Sequence, residues 1–205
     1  MNAPDPAARD RVLDTAATLF YERGFHAVGV DLIVARAAVA KATLYRHFPS
    51  KDELIVAYLE RANQEFWAWF DASVDPATPA RDQLLAVFDA IETLATSAAC
   101  LDCAFQVSAA EFPDRAHPGH ATALAHKEAV RARLRELAAA AGAAHPDALG
   151  NALLLVMDGA FAAARMYGPT TPAAHAAGAA RTLIDAHLPA RRPRPRPRQR
   201  PAEGT

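Results

Sequence analysis

The stretch that decides the fold runs from residue 39 to residue 54 and reads Val-Ala-Lys-Ala-Thr-Leu-Tyr-Arg-His-Phe-Pro-Ser-Lys-Asp-Glu-Leu. Leu44 and Phe48 lie four residues apart, so in a helix they share one face and can be buried. Pro49 ends this short helix. Ser50 and Glu53 then form the S-x-x-E pattern that opens a second helix. The segment therefore predicts a short helix with one buried stripe, followed by a well-capped helix.

The side chains opposite that stripe are suited to contact with DNA. Four of them combine small, hydroxyl, aromatic and guanidinium groups, as a helix needs in a major groove. Two lysines and a histidine flank this surface, where they can reach phosphates. The residues predicted to lie on or near DNA are Lys41, Ala42, Thr43, Tyr45, Arg46, His47 and Lys51.

The residues before this stretch complete a small helical domain. Pro6 suits the first turn of a helix. Apolar residues keep helical spacing as far as Phe20, and Gly24 is placed to end that helix. A short second helix is predicted from about residue 30 to 38. Three short helices followed by a long one, with the third presenting exposed contact groups, form a helix-turn-helix arrangement.

The stretch from about Arg11 to Leu59 resembles the DNA-binding domain of the tetracycline-repressor-type (TetR/AcrR) regulators. The most specific match is Thr-Leu-Tyr-x-His-Phe-x-Ser-Lys, from Thr43 to Lys51. The other matching positions are Ala16 to Phe20, Gly24, Phe25, Ile33, Ala37, Val39, Lys41 and Leu54. The resemblance implies an all-α, homodimeric repressor that binds a palindromic DNA operator and is released by a small-molecule effector. It also implies that the seven residues named above match the family's contact helix and the start of the next one.

This resemblance divides the chain into three parts. We expect a helix-turn-helix DNA-binding domain over residues 1–49 and a helical effector-binding and dimerisation domain over residues 50–188. The tail over residues 189–205 is rich in Arg and Pro. Alternating Arg-Pro favours an extended, disordered chain, which could add nonspecific DNA affinity.

Four positions depart from the family's pattern. The family usually has Thr and Ser before its second helix, where this chain has Val28 and Gly29. It usually has Gly in the turn and Ser before the third helix, where this chain has Ala38 and Ala40. A missing hydroxyl cap costs about 0.5–2 kcal/mol, and Ala is unfavourable at residue 38 if φ is positive there. We therefore expect fewer contacts with the DNA backbone than a typical member makes.

Net charge does not favour DNA binding, whereas the local distribution of charge does. The chain carries −1, and its tail holds six Arg against one Glu, which leaves −6 for the rest. Lys41, Arg46 and Lys51 nevertheless cluster around one helix. No apolar run approaches the ~20 residues of a membrane span, and no signal peptide is recognised. We expect a cytoplasmic protein with reduced cysteines.

Helical spacing after residue 50 predicts six further helices, at about residues 51–72, 80–97, 101–112, 120–141, 146–167 and 172–188. The last two are the predicted dimer surface, because small Ala residues let partner helices approach closely. The apolar face proposed for the first of this pair holds Leu149, Leu153, Val156, Met157, Ala160, Phe161 and Ala164. The alternative is that this stripe belongs to the core of one subunit. A dimer would present two recognition helices to a palindromic site.

The resemblance also places an effector pocket among these helices. The candidate lining residues are Trp67, Phe70, Phe88, Phe105, Met157 and Phe161, with Gln106, Glu111, His126 and Asp158 as polar candidates. Burial tendencies favour a core role for the apolar members. The alternatives are an exposed helix-end carboxylate for Glu111 and, for Asp158, an inter-helix hydrogen bond to Arg165 or to the partner chain. We predict a small-molecule effector of unknown identity and no cofactor.

Cys100 and Cys103, followed by His117 and His120, allow three interpretations. C-x2-C with H-x2-H could hold zinc, the first Cys lying at a helix start and the second one turn along. C-x-x-C at a helix N-terminus could instead act as a redox switch. We favour two small buried residues and two loop histidines, because such motif matches often arise by chance. An enzyme built on Cys103 and a histidine would lack a nucleophile motif or phosphate loop, so we predict no enzymatic activity.

Overall fold

The computed structural model describes residues 6–98, 100, 102–168 and 171–189, and this part of the chain is all-α with no strand. Within these described residues, nine α-helices follow one another: α1 (Pro6–Arg23), α2 (Val30–Ala37), α3 (Lys41–His47), α4 (Lys51–Ser73), α5 (Ala80–Ala95), α6 (Ala104–Glu111), α7 (Pro118–Ala140), α8 (Pro146–Tyr167) and α9 (Ala176–His187). A short 3-10 helix, Pro172–His175, precedes α9. The Arg/Pro tail predicted over residues 189–205 lies outside the described residues from residue 190 onward.

The first four helices begin and end where local chemistry requires. Gly24 follows α1 with φ +78°, the left-handed conformation that Gly adopts without a Cβ penalty. Ala38 ends α2 with φ 53° and ψ 47°. Ser50 caps α4, because its Oγ accepts a hydrogen bond from the Glu53 N–H at 3.1 Å. The predicted capping residue Ser50 is confirmed, and residue 38 has the positive φ at which Ala is unfavourable.

The boundaries of the later helices differ from the sequence-based expectation. α6 begins at Ala104, three residues later than predicted, and Cys103 is its N-cap. The Asp102 carboxylate accepts a hydrogen bond from the Cys103 N–H at 2.6 Å and pairs with Arg165 at 2.9 Å, which ties this segment down outside the helix. α7 begins two residues earlier than predicted because Pro118 occupies its first turn, a favourable place for Pro. Residues 172–175 form a 3-10 turn instead of the start of α9.

Two hydrophobic clusters build the molecule. The first cluster is formed by α1, α2, α3 and the first half of α4. It is extended by Phe105 on α6, by Phe112 at the end of α6 and by Ala123 on α7. The other joins the end of α4 with α5, α7, α8 and α9. α4 therefore contributes to both clusters and links the two domains covalently and through packing.

α8 is the central helix of the second cluster. Six of the seven residues predicted to form its dimer face are buried within one subunit, namely Leu149, Leu153, Met157, Ala160, Phe161 and Ala164. That assignment was wrong, because α5, α7 and α9 cover this stripe. The stripe is therefore intramolecular core, and α8 exposes a different apolar face that includes Leu155 and Met166. α8 is long and apolar enough to cross a membrane by length and composition alone, which is weak evidence for a span, and one face of it is buried in this cluster.

Candidate nucleic-acid interface and effector cavity

α3 is held against the small domain by its predicted stripe. Leu44 is fully buried and Phe48 is 3% exposed. With these residues anchored, Ala42, Tyr45 and Arg46 lie exposed on the other side of the helix. Thr43 is half-buried. The helix thus presents the small, aromatic and guanidinium groups that the sequence predicted for a DNA-contacting face.

The three flanking residues are less free than the sequence suggested. The Lys41 ammonium pairs with Asp31 at 2.7 Å, and the hydrogen bond to this carboxylate raises the pKa of Lys41. The Lys51 ammonium donates to the Phe25 carbonyl at 2.7 Å, and partial burial lowers its pKa. The Nε2 atom of His47 is buried and has no hydrogen-bond partner among the described residues. Of the group, Arg46 is exposed with no ion-pair partner in the described part of the chain.

The turn into α3 carries the departures noted in the sequence. Ala40 is the N-cap and provides no side-chain hydrogen bond. Gly29 likewise caps α2 without a side-chain bond, and Val28 is fully buried instead of facing solvent. The hydroxyl caps missing from the sequence are therefore not replaced by other side chains. The α3 surface relies on packing for its position.

A clamp joins this domain to α6. The Glu111 carboxylate at the end of α6 accepts hydrogen bonds from the Phe25 N–H at 3.0 Å and the His26 N–H at 2.6 Å. The His26 ring also bonds to the Glu111 carbonyl at 2.8 Å. A Cβ at Gly24 would lie 2.2 Å from a Glu111 oxygen, so glycine permits this close approach. Glu111, predicted as a ligand contact or an exposed carboxylate, lies in an inter-domain clamp that spacing alone could not reveal.

A cavity of about 640 Å³ opens between α1, α4, α6, α7 and α8. Four of the predicted ligand contacts line it: Phe105, His126, Met157 and Phe161. Phe70 and Phe88 are buried in the second cluster, and Trp67 packs against that cluster. The residues that sequence reasoning missed include Tyr21, Tyr58, Phe66, Trp69, Cys103 and Lys127. Tyr21 could not be found from the sequence, because it lies on the helix assigned to DNA binding.

The other polar candidates have protein partners. The Asp158 carboxylate pairs with the Lys127 ammonium at 2.5 Å, and Gln106 donates to the Asp158 carbonyl at 3.1 Å. Burial alone would lower the pKa of Lys127, but the nearby Cys103 and Asp158 raise it above its usual value. Asp158 thus makes an inter-helix contact, as one sequence-based interpretation anticipated, although its partner is Lys127. Gln106 and Glu111 line a second, shallower groove beside Arg165.

His126 is a buried, neutral polar group on the cavity wall. Its ring stacks on Phe105 with centroids 3.5 Å apart and is 5% exposed. Nδ1 lies 2.7 Å from the Asn63 side-chain oxygen, so Nδ1 carries the proton and donates. Burial, together with the nearby Lys127, lowers the pKa of His126 to about 3.

The two cysteines and the two loop histidines have different surroundings and different hydrogen-bond partners. Cys100 is buried and precedes α6, so it does not start that helix as predicted, and burial raises the pKa of its thiol. His117 accepts from the Gly119 N–H at 3.1 Å, and His120 bonds to the Phe112 carbonyl at 2.8 Å. Among the described residues, no group of three or more His, Cys, Asp or Glu side chains could hold a metal. This geometry does not favour the zinc interpretation.

The comparisons with known proteins agree with this geometry. Residues 12–58 match the family model described as bacterial regulatory proteins, tetR family. A crystal structure of a TetR-family transcriptional regulator from Streptomyces coelicolor is 37% identical. The similarity covers 89% of this chain and 97% of that one, with a TM-score of 0.84. The chain belongs to the TetR family.

Two curated HTH-type transcriptional regulators are similar to part of this chain. The transcriptional activator FasR of Mycolicibacterium smegmatis is 37% identical over 87 residues, which covers 42% of this chain and 40% of FasR. The transcriptional repressor KstR2 of the same organism is 35% identical over 103 residues, covering 44% of this chain and 48% of KstR2. The match therefore spans less than half the length of these curated relatives.

Proposed function

We propose that this TetR-family protein is a ligand-responsive transcriptional repressor that binds a palindromic operator as a homodimer. The observation that carries the proposal is the α3 surface, on which Ala42, Tyr45 and Arg46 are exposed while Leu44 and Phe48 anchor the helix from behind. Arg is the side chain best suited to bidentate contact with guanine. Arg46 is therefore the leading candidate for a base contact.

Lys41, Lys51 and His47 take supporting roles in this proposal. Lys41 must exchange Asp31 for a phosphate on binding DNA. Both partners of that pair are exposed, so the exchange costs little. The Lys51 ammonium donates a hydrogen bond to the Phe25 carbonyl, so we assign Lys51 a structural role in addition to a contact with DNA.

The proposed dimer forms through α8 and α9. Leu155 and Met166 on α8 are 74% and 76% exposed, which is unusual for large apolar side chains on a helix of this hydrophobicity. A shallow groove beside them is lined mainly by small residues of α8 and α9, including Gly159, Ala163 and Ala179. Small residues allow close helix–helix approach. A second copy of the chain fits this surface, because a two-fold axis would pair the same helices.

The proposed effector site is the 640 Å³ cavity. α6 reaches from the cavity, where Cys103 and Phe105 lie, to the Glu111 clamp on the DNA-binding domain. α4 passes the cavity at Tyr58 and Phe66 and is the helix that follows α3. An effector that favours a different spacing of α1, α4 and α6 would therefore change the distance between the two recognition helices of a dimer.

The test is operator binding by the full chain, measured by fluorescence anisotropy with DNA from the upstream region of its own gene. Arg46→Ala is expected to weaken binding by about 1–3 kcal/mol if Arg46 contacts a base edge. Arg133→Ala, on α7 of the other domain, is the matched control and should bind like the wild type. Equal affinities for wild type and Arg46→Ala would contradict the assignment of α3 as the reading helix.

A further inference from the structure

The cavity wall holds two hydrogen-bonding groups that the protein leaves unused. Tyr58 is 6% exposed and lines the cavity, and its hydroxyl has no hydrogen-bond partner among the described residues. The Nδ1–H of His126 is used by Asn63, and no described residue bonds to Nε2. Both residues line the cavity, so a ligand bound there can supply the missing hydrogen-bond partners.

These two groups have complementary chemistry. Because Nδ1 of His126 holds the proton, Nε2 offers a lone pair and accepts a hydrogen bond. Its low pKa keeps the ring neutral at physiological pH. The Tyr58 hydroxyl is also un-ionised, since burial raises its pKa, and it can donate. These two groups therefore offer the cavity an acceptor on α7 and a donor on α4.

Several aromatic side chains lie on the wall beside these two groups. Phe66, Trp69, Phe105 and Phe161 lie around these groups, and the flat stack of His126 on Phe105 presents a planar surface. Aromatic walls favour stacked or edge-on contact with flat rings. A volume of about 640 Å³ is within the range of small-molecule sites.

The charged residues on the wall are already neutralised, with one exception. Lys127 pairs with Asp158, Asp102 with Arg165, and Arg61 with Asp14 and Glu65. Glu22, on the exposed side of α1, has no ion-pair partner in the described part of the chain. The site thus holds no unpaired cation for an anionic ligand, and its one unpaired charge repels a carboxylate.

We infer that the cavity takes a neutral, flat aromatic molecule whose hydroxyl group donates to His126 Nε2 and whose second oxygen accepts from the Tyr58 hydroxyl. This inference rests on the proposed function, in that it names the chemical class of the effector. It depends on two polar groups and the aromatic side chains around them, and it makes no use of the DNA-binding surface.

The test is isothermal titration calorimetry of the full chain with three matched probes: 6-hydroxyflavone, 6-methoxyflavone and flavone-6-carboxylate. They share a flat ring system and a carbonyl oxygen and differ in the hydroxyl donor and the charge. The hydroxyl probe is expected to bind about tenfold more tightly than the methyl ether, because only the hydroxyl satisfies His126. The carboxylate is expected to bind most weakly.

Two variants separate recognition from structural damage. His126→Phe keeps the ring that stacks on Phe105 and should abolish the preference for hydroxyl over methoxy. Tyr58→Phe removes only one oxygen and should weaken both neutral probes equally, since both keep the carbonyl. Unchanged binding of the methyl ether by His126→Phe would show that the cavity is intact. His145→Phe, at an exposed position before α8, is the control and should retain the full preference.

Equal binding of the hydroxyl and methoxy probes by the wild type would overturn the inference, as would tightest binding of the carboxylate or no binding of any probe. A preference that survives His126→Phe would overturn it as well. Operator binding is measured separately on the same preparations. A protein that binds the hydroxyl probe but no operator would disprove the proposed function, whereas one that binds operator but no probe would disprove only the ligand class.

Discussion

A single residue in an unfavourable backbone conformation forms the turn of the helix-turn-helix. Ala38 has φ 53°, a region in which the Cβ of an L-residue costs roughly 1–2 kcal/mol. Glycine avoids that cost but loses about 0.5–1 kcal/mol of chain entropy on folding. Ala38→Gly is therefore expected to raise the free energy of unfolding by roughly 0.5–1 kcal/mol, measured by urea denaturation.

The control for this prediction lies four residues further on. Ala42 is an exposed residue within α3, where glycine is a poor helix former. Ala42→Gly should lower the free energy of unfolding by about 1 kcal/mol. Opposite signs for the two substitutions would show that the conformation at residue 38 decides the outcome. Destabilisation by both would show that the turn carries no strain.

His126 is expected to make the fold sensitive to acid. Its pKa is about 3 in the folded chain because the ring is buried, against about 6.5 when unfolded. Between these values the unfolded state binds more protons, so the free energy of unfolding falls as the pH drops below 6.5. Above pH 6.5 His126 is neutral in both the folded and the unfolded chain, so it does not lower the free energy of unfolding there. At pH 5 the loss should reach about 2 kcal/mol.

The measurement compares urea unfolding of the wild type and His126→Phe at pH 7.5 and pH 5. Phe cannot take up a proton, so the variant should lose about 2 kcal/mol less stability than the wild type over this interval. Other titrating groups contribute to both proteins and cancel in the difference. Identical losses in the two proteins would mean that His126 is protonated in the folded state near its ordinary pKa.

At the scale of single elements, α6 is the short connection between the cavity and the DNA-binding domain. Its first turn lines the cavity at Phe105, and its last residue, Glu111, accepts two backbone hydrogen bonds from residues 25 and 26. Glu111→Ala is expected to lower the free energy of unfolding by roughly 1–3 kcal/mol, since both N–H groups lose their acceptor. It should also speed amide hydrogen exchange at Phe25 and His26.

Hydrogen exchange with site resolution checks this prediction, with Asp114→Ala as the control. Asp114 accepts a bond from the Ala116 N–H within its own loop, so its loss should leave exchange at residues 25 and 26 unchanged. Unaltered exchange at these amides in Glu111→Ala would show that the clamp does not hold the two domains together.

The elements that the sequence predicted well are those whose causes are local. Leu44 and Phe48 define the buried side of α3, and Ser50 caps α4, because helical spacing and capping act over three or four residues. The cavity depends on packing between distant segments. Tyr21 and Tyr58 line it because α1 packs beside α4, which no spacing within either helix indicates. The apolar stripe on α8 was misassigned because the core of a subunit and a dimer interface both require the same apolar spacing along a helix.

At the scale of the whole molecule, α8 has an apolar surface that one copy of the chain leaves exposed to solvent. The core stripe of α8 is covered within the subunit, yet Leu155, Met166 and Tyr167 remain exposed on its other side. The small domain offers one α3 surface per chain, which in the proposed function would read half of a palindrome. Dimerisation through α8 and α9 would cover the apolar surface and bring together two reading helices, so one interface meets both requirements.

Leu155→Glu tests this arrangement directly. A carboxylate at a position that is 74% exposed in one subunit costs little in the monomer, but it becomes unfavourable when a second copy covers it. The variant is expected to be monomeric at micromolar concentration by light scattering, near 21.9 kDa, and to bind operator at least about tenfold more weakly. Leu124→Glu places the same charge on α7 at a position that is 46% exposed, and it should remain dimeric. If the Leu155→Glu protein still has twice the monomer mass, the dimer interface does not include this face of α8.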